Sequence, residues 1–291
     1  RYPGNAHREL KTINNWRTEI SALFGFIEHT DKTEKPGRRA IELASNEDLV
    51  ECFKVFLYNF QYPGAHIKPK NVLEQIENGI HFKPAQYILK LLKFANREGG
   101  NSVGITKYEA CHCIFNDLRV TRDNEGVEKT WERISENRKK KLEYDQTGDV
   151  VRYAGDIIDY MEIANLLKTY DSYTYYLNTL EEEAVIKFIE STEWFGEYDE
   201  MIENRTGDME SVKDCINGWF SYVNRDIKET DFSTDILAYI ASDEDDLKKL
   251  KENTTTDGIG GLADLIEREN ALEKRIATYY DGFTTKDIGD I

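Results

Sequence analysis

Apolar residues recur at intervals of three and four from near the start of the chain. After an opening arm or turn (RYPGN, residues 1–5), Leu10, Ile13, Trp16, Ile20, Leu23 and Phe24 mark one face of a helix beginning at about Ala6, with Lys11, Asn14, Asn15, Arg17 and Thr18 on its other sides. The stretch TDKTEKPGRR (residues 30–39) is charged, rich in turn formers and poor in apolar residues, which predicts a loop or the wing of a small hairpin carrying Arg38 and Arg39. Helical spacing returns from Asp48 to Phe60 and must stop near Gln61-Tyr62-Pro63-Gly64, because proline disfavours helix in the residue before it. Gln61 is read as a structural residue capping the loop that follows, which bears His66, Lys68 and Lys70. Two more helices are predicted. One covers residues 84–97, with Pro84 at its start, and one residues 106–118, with Thr106 and Glu109 in capping-box spacing.

The spacing of Val127, Trp131 and Ile134 predicts a helix over residues 127–142, ending in Arg138-Lys139-Lys140-Lys141, where the helix dipole favours cations. Such a run serves equally as a solvated helix end and as a phosphate contact. The next helix, residues 149–167, buries Ile157, Met161, Ala164 and Leu167, and after a turn at Asp171-Ser172 the aromatic run Tyr173-Thr174-Tyr175-Tyr176-Leu177 is strand-like. A helix followed by a short strand, closing a helical set, is how a winged-helix module finishes. Beyond Glu181 the chain reads as helical and acidic, with turns at Arg205-Thr206-Gly207-Asp208 and Asp257-Gly258-Ile259-Gly260-Gly261 and a last helix over residues 262–278.

With 291 residues there is room for two domains, each with its own core. The net charge of −17 argues at first against nucleic acid, but its distribution changes that. Residues 1–150 hold 24 basic against 22 acidic side chains, a balance of +2, while residues 151–291 hold 14 against 33, a balance of −19. A DNA-facing surface in the first half is therefore electrostatically permitted. Cys52, Cys111, Cys113 and Cys215 are too sparse for a disulfide scaffold, and Cys111-His112-Cys113 lacks the gap typical of zinc ligands, so they are read as buried helical thiols and no metal site is expected. No apolar run approaches the roughly 20 residues that cross a bilayer. The start has no signal-peptide character, so a cytoplasmic protein without a membrane partner is expected. The first residue is Arg rather than Met, and a segment upstream of it is expected.

Phosphodiester hydrolysis needs a positioned cation or a covalent nucleophile. Glu9-Leu10-Lys11 has the letters of a nuclease Glu-x-Lys but sits on a helix with no upstream Asp, and Asp226-Ile227-Lys228 has no strand pair. His66-Ile67-Lys68 starts the phospholipase-D pattern, but Leu73 stands where its Asp belongs. Gly-rich phosphate loops, Gly-x-Ser-x-Gly and His pairs at i and i+4 are missing from the sequence. No catalytic residue is assigned and no cofactor is expected in this chain.

Several segments, in order, resemble the N-terminal recognition domain of BpuJI-like Type IIS restriction endonucleases: NNWRTEISALFGF, the loop ending PGRR, CFKVFLYNFQYPG, PAQYILKLLKFA, ITKYEACHCIFNDLRV, EKTWERISENRKKK and DIIDYMEIANLLK. The likeness is more distant to the recognition halves of AlwI-type enzymes. It implies a mainly α fold with short β wings, in which tandem winged-helix modules contact one short asymmetric site in double-stranded DNA. It also implies a separate nuclease domain, C-terminal or on a partner, that requires a divalent metal such as magnesium. The expected organisation is a first winged-helix module over residues 1–80, a second over residues 81–180, and an acidic helical region over residues 181–291 as linker or dock for the nuclease domain.

Bases are read in the major groove by paired hydrogen bonds, Arg to guanine and Asn or Gln to adenine, while Lys and backbone amides hold phosphates. The expected base contacts are Asn14, Asn15, Arg17, Thr18, Arg38 and Arg39 in the first module and Arg152, Tyr153 and Asp156 in the second. Lys11, Lys68, Lys70, Arg119, Arg122, Lys139 and Lys140 are the phosphate candidates. Two rivals share much of this pattern. A tandem winged-helix transcriptional regulator would bind a palindrome as a symmetric dimer. An acidic protein-interaction scaffold would show no salt-dependent DNA binding.

Overall fold

The computed structural model describes residues 20–29, 34–44, 49–99, 103–145, 149–171 and 173–225. A short antiparallel hairpin, β1 (Ile27–His29) and β2 (Glu34–Pro36), leads into α1 (Arg38–Ala44), α2 (Leu49–Asn59), α3 (Pro69–Glu77) and α4 (Pro84–Gly99). Then come β3 (Gly104–Thr106), α5 (Lys107–Ala110) running into a π-helical turn (Cys111–Phe115), α6 (Leu118–Thr121), α7 (Val127–Lys139) and α8 (Asp149–Ile163). The strands β4 (Leu167–Thr169) and β5 (Thr174–Leu177) precede α9 (Glu182–Glu190), α10 (Asp199–Asn204) and α11 (Met209–Val223). The fold is mainly α with short β wings. The described residues within 20–178 and 183–225 belong to one compact unit; a second unit has only Thr179–Glu182 among the described residues, and Thr179–Glu181 is a single 3-10 turn.

The core is built from helix pairs that bury one apolar stripe each: α2 packs on α8, α3 on α11, and α4 on α7. Phe24 joins three segments, its ring 4.8 Å from Phe56, 5.1 Å from Phe53 and 5.1 Å from Tyr160. Helix α2 stops at Asn59, as the proline ahead of it requires. Gln61 is structural as expected, but its partner is distant: its amide exchanges two hydrogen bonds with the backbone of Phe195, Nε2 to O at 3.1 Å and N to Oε1 at 2.8 Å. Asn59 Nδ2 likewise donates to the carbonyls of Val223 at 3.3 Å and Arg225 at 3.2 Å.

Several expectations on local structure are corrected. Lys68 and Lys70 are not on a loop; Lys68 is the N-cap of α3, with Pro69 at the first helical position, where its missing N–H costs nothing. Only Val72 and Ile76 are buried in that helix, two positions one turn apart, too few to register as a period. Arg38 and Arg39 do not sit on a wing but open α1. The capping box at Thr106 forms with both bonds, Glu109 N to Thr106 Oγ1 at 3.1 Å and Thr106 N to Glu109 Oε2 at 2.9 Å. The helix it starts is nevertheless short, because the π turn packs on both α7 and α8 and buries Cys111, Cys113 and Ile114 together, after which Asp117 caps α6. Helix α8 ends at Ile163 rather than Leu167: Asn165 takes a left-handed conformation (φ 57°), releasing Leu167 into β4.

The sheet order β3-β5-β4 places the first strand beside the last, with Ile105 opposite Tyr175 and Tyr175 opposite Thr169. A Cβ on Gly104 would lie 2.6 Å from Thr174 Cγ2 and 2.9 Å from the Tyr175 carbonyl oxygen, so β3 approaches β5 this closely only because residue 104 has no side chain. Residues 1–19 and 226–291 lie outside the described residues, and with them all but the last turn of the first predicted helix (residues 20–23 are helical), the glycine-rich turn and the last predicted helix.

Candidate nucleic-acid interface

Helix α8 buries Ala154, Ile157, Ile158 and Met161 and exposes Arg152 and Tyr153. It is followed at once by the β4–β5 hairpin, whose tip is held by one carboxylate. Asp171 accepts from the backbone N–H of Tyr173 at 2.9 Å and of Thr174 at 2.7 Å, and from the hydroxyls of Thr169 and Thr174. Those bonds hold the Asp171 carboxyl below its ordinary range and preorganise a wing that exposes Tyr170 and Tyr173. Lys168 lies over the Tyr170 ring, 5.3 Å from its centroid. Lys168, Tyr170 and Tyr173 are not among the contacts expected from the sequence, where the Asp-Ser turn is legible but the three-residue strand before it is too short to show a period.

The N-terminal half of α8 borders a cleft of about 70 Å³ lined by Arg152, Tyr153, Asp156 and Tyr160 and, across from them, Phe60, Tyr62 and His66. The aromatic walls are fixed by packing, with Phe60 5.1 Å from Tyr62 and 5.4 Å from His66 and His66 stacked on Trp219 at 5.7 Å. Arg152 stands over the Tyr153 ring at 5.0 Å. Burial raises the Asp156 carboxyl above its ordinary range, opposed by the Arg152 charge. Burial also holds Tyr62 far above the usual phenol range and Tyr160 up to about 12, so both are neutral hydrogen-bonding groups.

His66 is part-exposed as a residue, but its Nδ1 is out of reach of solvent and has no hydrogen-bond partner. Burial pushes it down from 6.5 to about 4. A histidine depressed in the folded state takes up its proton more readily when unfolded, so stability is full above pH 6.5 and falls as pH drops through about 4. Unfolding by urea at stepped pH is expected to show this decline, and His66→Phe to flatten it over that window; an unchanged slope in the variant would assign the decline to other groups.

The structure brings Arg152, Tyr153 and Asp156 to one cleft. Arg39 is instead buried, donating to the Phe24 carbonyl at 3.4 Å and to Asn224 Oδ1 at 3.2 Å. Arg119 is held bidentately by Asp117 at 2.8 and 2.6 Å, and Arg122 by Asp123 at 2.7 and 2.9 Å. Lys68 and Lys139 are exposed; Lys70 stands 3.8 Å from Glu74, and Lys140 3.2 Å from Glu136. In the basic run after α7, Arg138 is committed inward, to Glu109 and the Gly104 carbonyl. Lys11, Asn14, Asn15, Arg17 and Thr18 lie outside the described residues, as does the side chain of Arg38. Among the described residues, no group of His, Cys, Asp and Glu is arranged to hold a metal ion, and no helix is long and apolar enough to cross a membrane.

A family model described as the N-terminal part of restriction endonuclease BpuJI matches residues 1–220. Among solved structures, the chain is similar to the crystal structure of pyrene- and phenanthrene-modified DNA in complex with the BpuJ1 endonuclease binding domain. The likeness has a TM-score of 0.63 at 23% identity and covers 74% of this chain and 78% of that one. No curated protein sequence matches.

Proposed function

This chain belongs to the restriction endonuclease BpuJI N-terminal family, and from that premise we propose that it reads a short asymmetric site in double-stranded DNA as the target-recognition part of a Type II restriction endonuclease. The observation that carries the reading is the juxtaposition of α8 and its wing. Within the residues matched by the family, an exposed Arg152 and Tyr153 stand at the N-terminal end of a helix followed directly by a preorganised β hairpin, which is the placement of groove-reading side chains in helix-turn-helix proteins. Cleavage belongs to a separate nuclease domain that takes magnesium, acting in the cytoplasm. The acidic region, residues 181–291, serves as linker or dock to that domain, and residues 1–80 and 81–180 act as two DNA-facing modules. The phosphate contacts fall to Lys68, Lys70, Lys139 and Lys140, whose charges reach solvent.

Selection of bound duplexes from a random pool, at two salt concentrations and without magnesium, tests the proposal. One short asymmetric site is the expected result; a palindrome would favour a dimeric regulator, and no salt-dependent binding would leave the scaffold. On the selected duplex, Arg152→Ala is expected to weaken binding by about 1–3 kcal/mol while sparing random-sequence DNA. Lys139→Ala with Lys140→Ala is expected to lower the log–log salt slope by about 2 on both. Equal loss on both duplexes for Arg152→Ala would move that residue to the phosphate contacts.

A further inference from the structure

The cleft beside α8 shares Arg152 and Tyr153 with the helix end assigned to the groove, but its opposite wall has no part in reading a paired base. Its apolar walls combine the rings of Tyr62, His66, Tyr153 and Tyr160 with aliphatic side chains such as Leu23 and Ile157, and Tyr160 is braced from behind by Phe24 and Phe53 at 5.1 and 5.6 Å. Within it the half-buried Asp156 carboxylate accepts no hydrogen bond from any described residue. A carboxylate withdrawn from water without a donor is costly, and the cost is relieved by a ligand N–H. The opposite charge stands at the same opening: Arg152, a donor only.

Resting on the DNA reading above, we propose that this cleft holds the Watson–Crick edge of one cytosine swung out of the duplex. Cytosine carries an amine for Asp156 and, on the same edge, acceptors for Arg152, while its faces meet the aromatic walls. Thymine presents a carbonyl where that amine stands and is repelled by the carboxylate. A cationic guest, the other usual occupant of aromatic walls with a carboxylate, is opposed by Arg152, which already lies 5.0 Å over Tyr153. At about 70 Å³ the cleft is half the roughly 150 Å³ of a cavity that encloses benzene, so it takes the edge of one ring rather than a whole base. A stacked, paired base cannot slide its ring between aromatic side chains, whereas an extruded one does so at the expense of unstacking.

The test uses the full 291-residue chain and the duplex recovered by selection, with each cytosine of both strands replaced in turn by 5-fluorocytosine and followed by fluorine NMR. One position is expected to leave the duplex range on binding and to return to it with Asp156→Ala, which is also expected to bind about tenfold more weakly. Asp156→Asn keeps the shape and one acceptor, and serves if the alanine variant does not fold; it is expected to shift the resonance part of the way back. If the duplex is retarded in a gel and every fluorine stays in the duplex range, extrusion is overturned and the DNA reading stands. Failure to bind any duplex overturns both. Saturable binding of deoxycytidine monophosphate alone, with no displaced fluorine in the duplex, would assign the cleft to a free nucleotide and overturn the extruded source.

Discussion

Replacing Phe56 with alanine is expected to lower stability by about 4 kcal/mol. The ring is fully buried in the middle of α2 and touches the rings of Phe24 and Phe60 at 4.8 and 5.3 Å, with Tyr160 at 6.2 Å. Those partners come from the segment before β1, from the end of α2 and from α8, so no single element can move in to fill the space, and the transfer cost is joined by a cavity cost. In a unit of this size the melting midpoint is expected to drop by about 12 °C. The urea midpoint is expected to fall without a change in slope. Phe56→Leu, which keeps most of the volume, is expected to cost about 1.5 kcal/mol or less. A loss below about 1 kcal/mol for the alanine variant would mean that the cluster collapses around the gap. Because Phe60 and Tyr160 line the cleft and Phe56 braces both, the same variant is expected to bind the selected duplex more weakly even where it is fully folded.

Glu109→Ala is expected to cost about 3 kcal/mol. This residue, 4% exposed, accepts from Arg138 Nε at 2.6 Å and Nη2 at 2.8 Å and from the Thr106 backbone at 2.9 Å. Arg138 donates onward to the Gly104 carbonyl at 2.7 Å. One carboxylate thus ties the start of α5 to the end of α7 and, through Arg138, to β3. Breaking a buried pair typically costs 3–5 kcal/mol because the surviving charge is left unpaired; the lower figure applies because the Arg138 side chain is 38% exposed and partly rehydrates. Removing both partners is expected to cost at least about 1 kcal/mol less than the sum of the single losses, the signature of direct coupling in a double-mutant cycle. Additive losses would mean that the two residues act independently.

Local sequence carried a good deal of this. The apolar periods of α2, α4, α7 and α8, the proline stop after α2, the Thr106–Glu109 capping box, the strand-like Tyr173–Leu177 run and the Arg205–Asp208 break all depend on neighbours within a turn or two. They are found in the structure to within a few residues. So are Arg152, Tyr153 and Asp156 as residues grouped in the first half of a helix. The elements that escaped are the ones local pattern cannot encode: α3 has two buried positions, β3 and β4 have three residues each, and each is held by partners far along the chain.

By itself, then, the sequence determined the helical class, the main helix boundaries, the asymmetric distribution of charge and the kinship to a DNA-recognition family, because each is written in spacing of a few residues or in ordered motifs. Tertiary structure alone decided which polar side chains are spent. Arg39 and Arg138 read from the sequence as DNA- or solvent-facing cations and Gln61 as a local loop cap, yet each, like Asn59, is consumed by a partner at least 29 residues away. It also decided that Tyr62 and His66 should meet Arg152 and Asp156 in one cleft. A hydrogen bond or a cavity wall depends on position in space, and residues far apart in the chain leave no mark in their local sequence of the contact they will make.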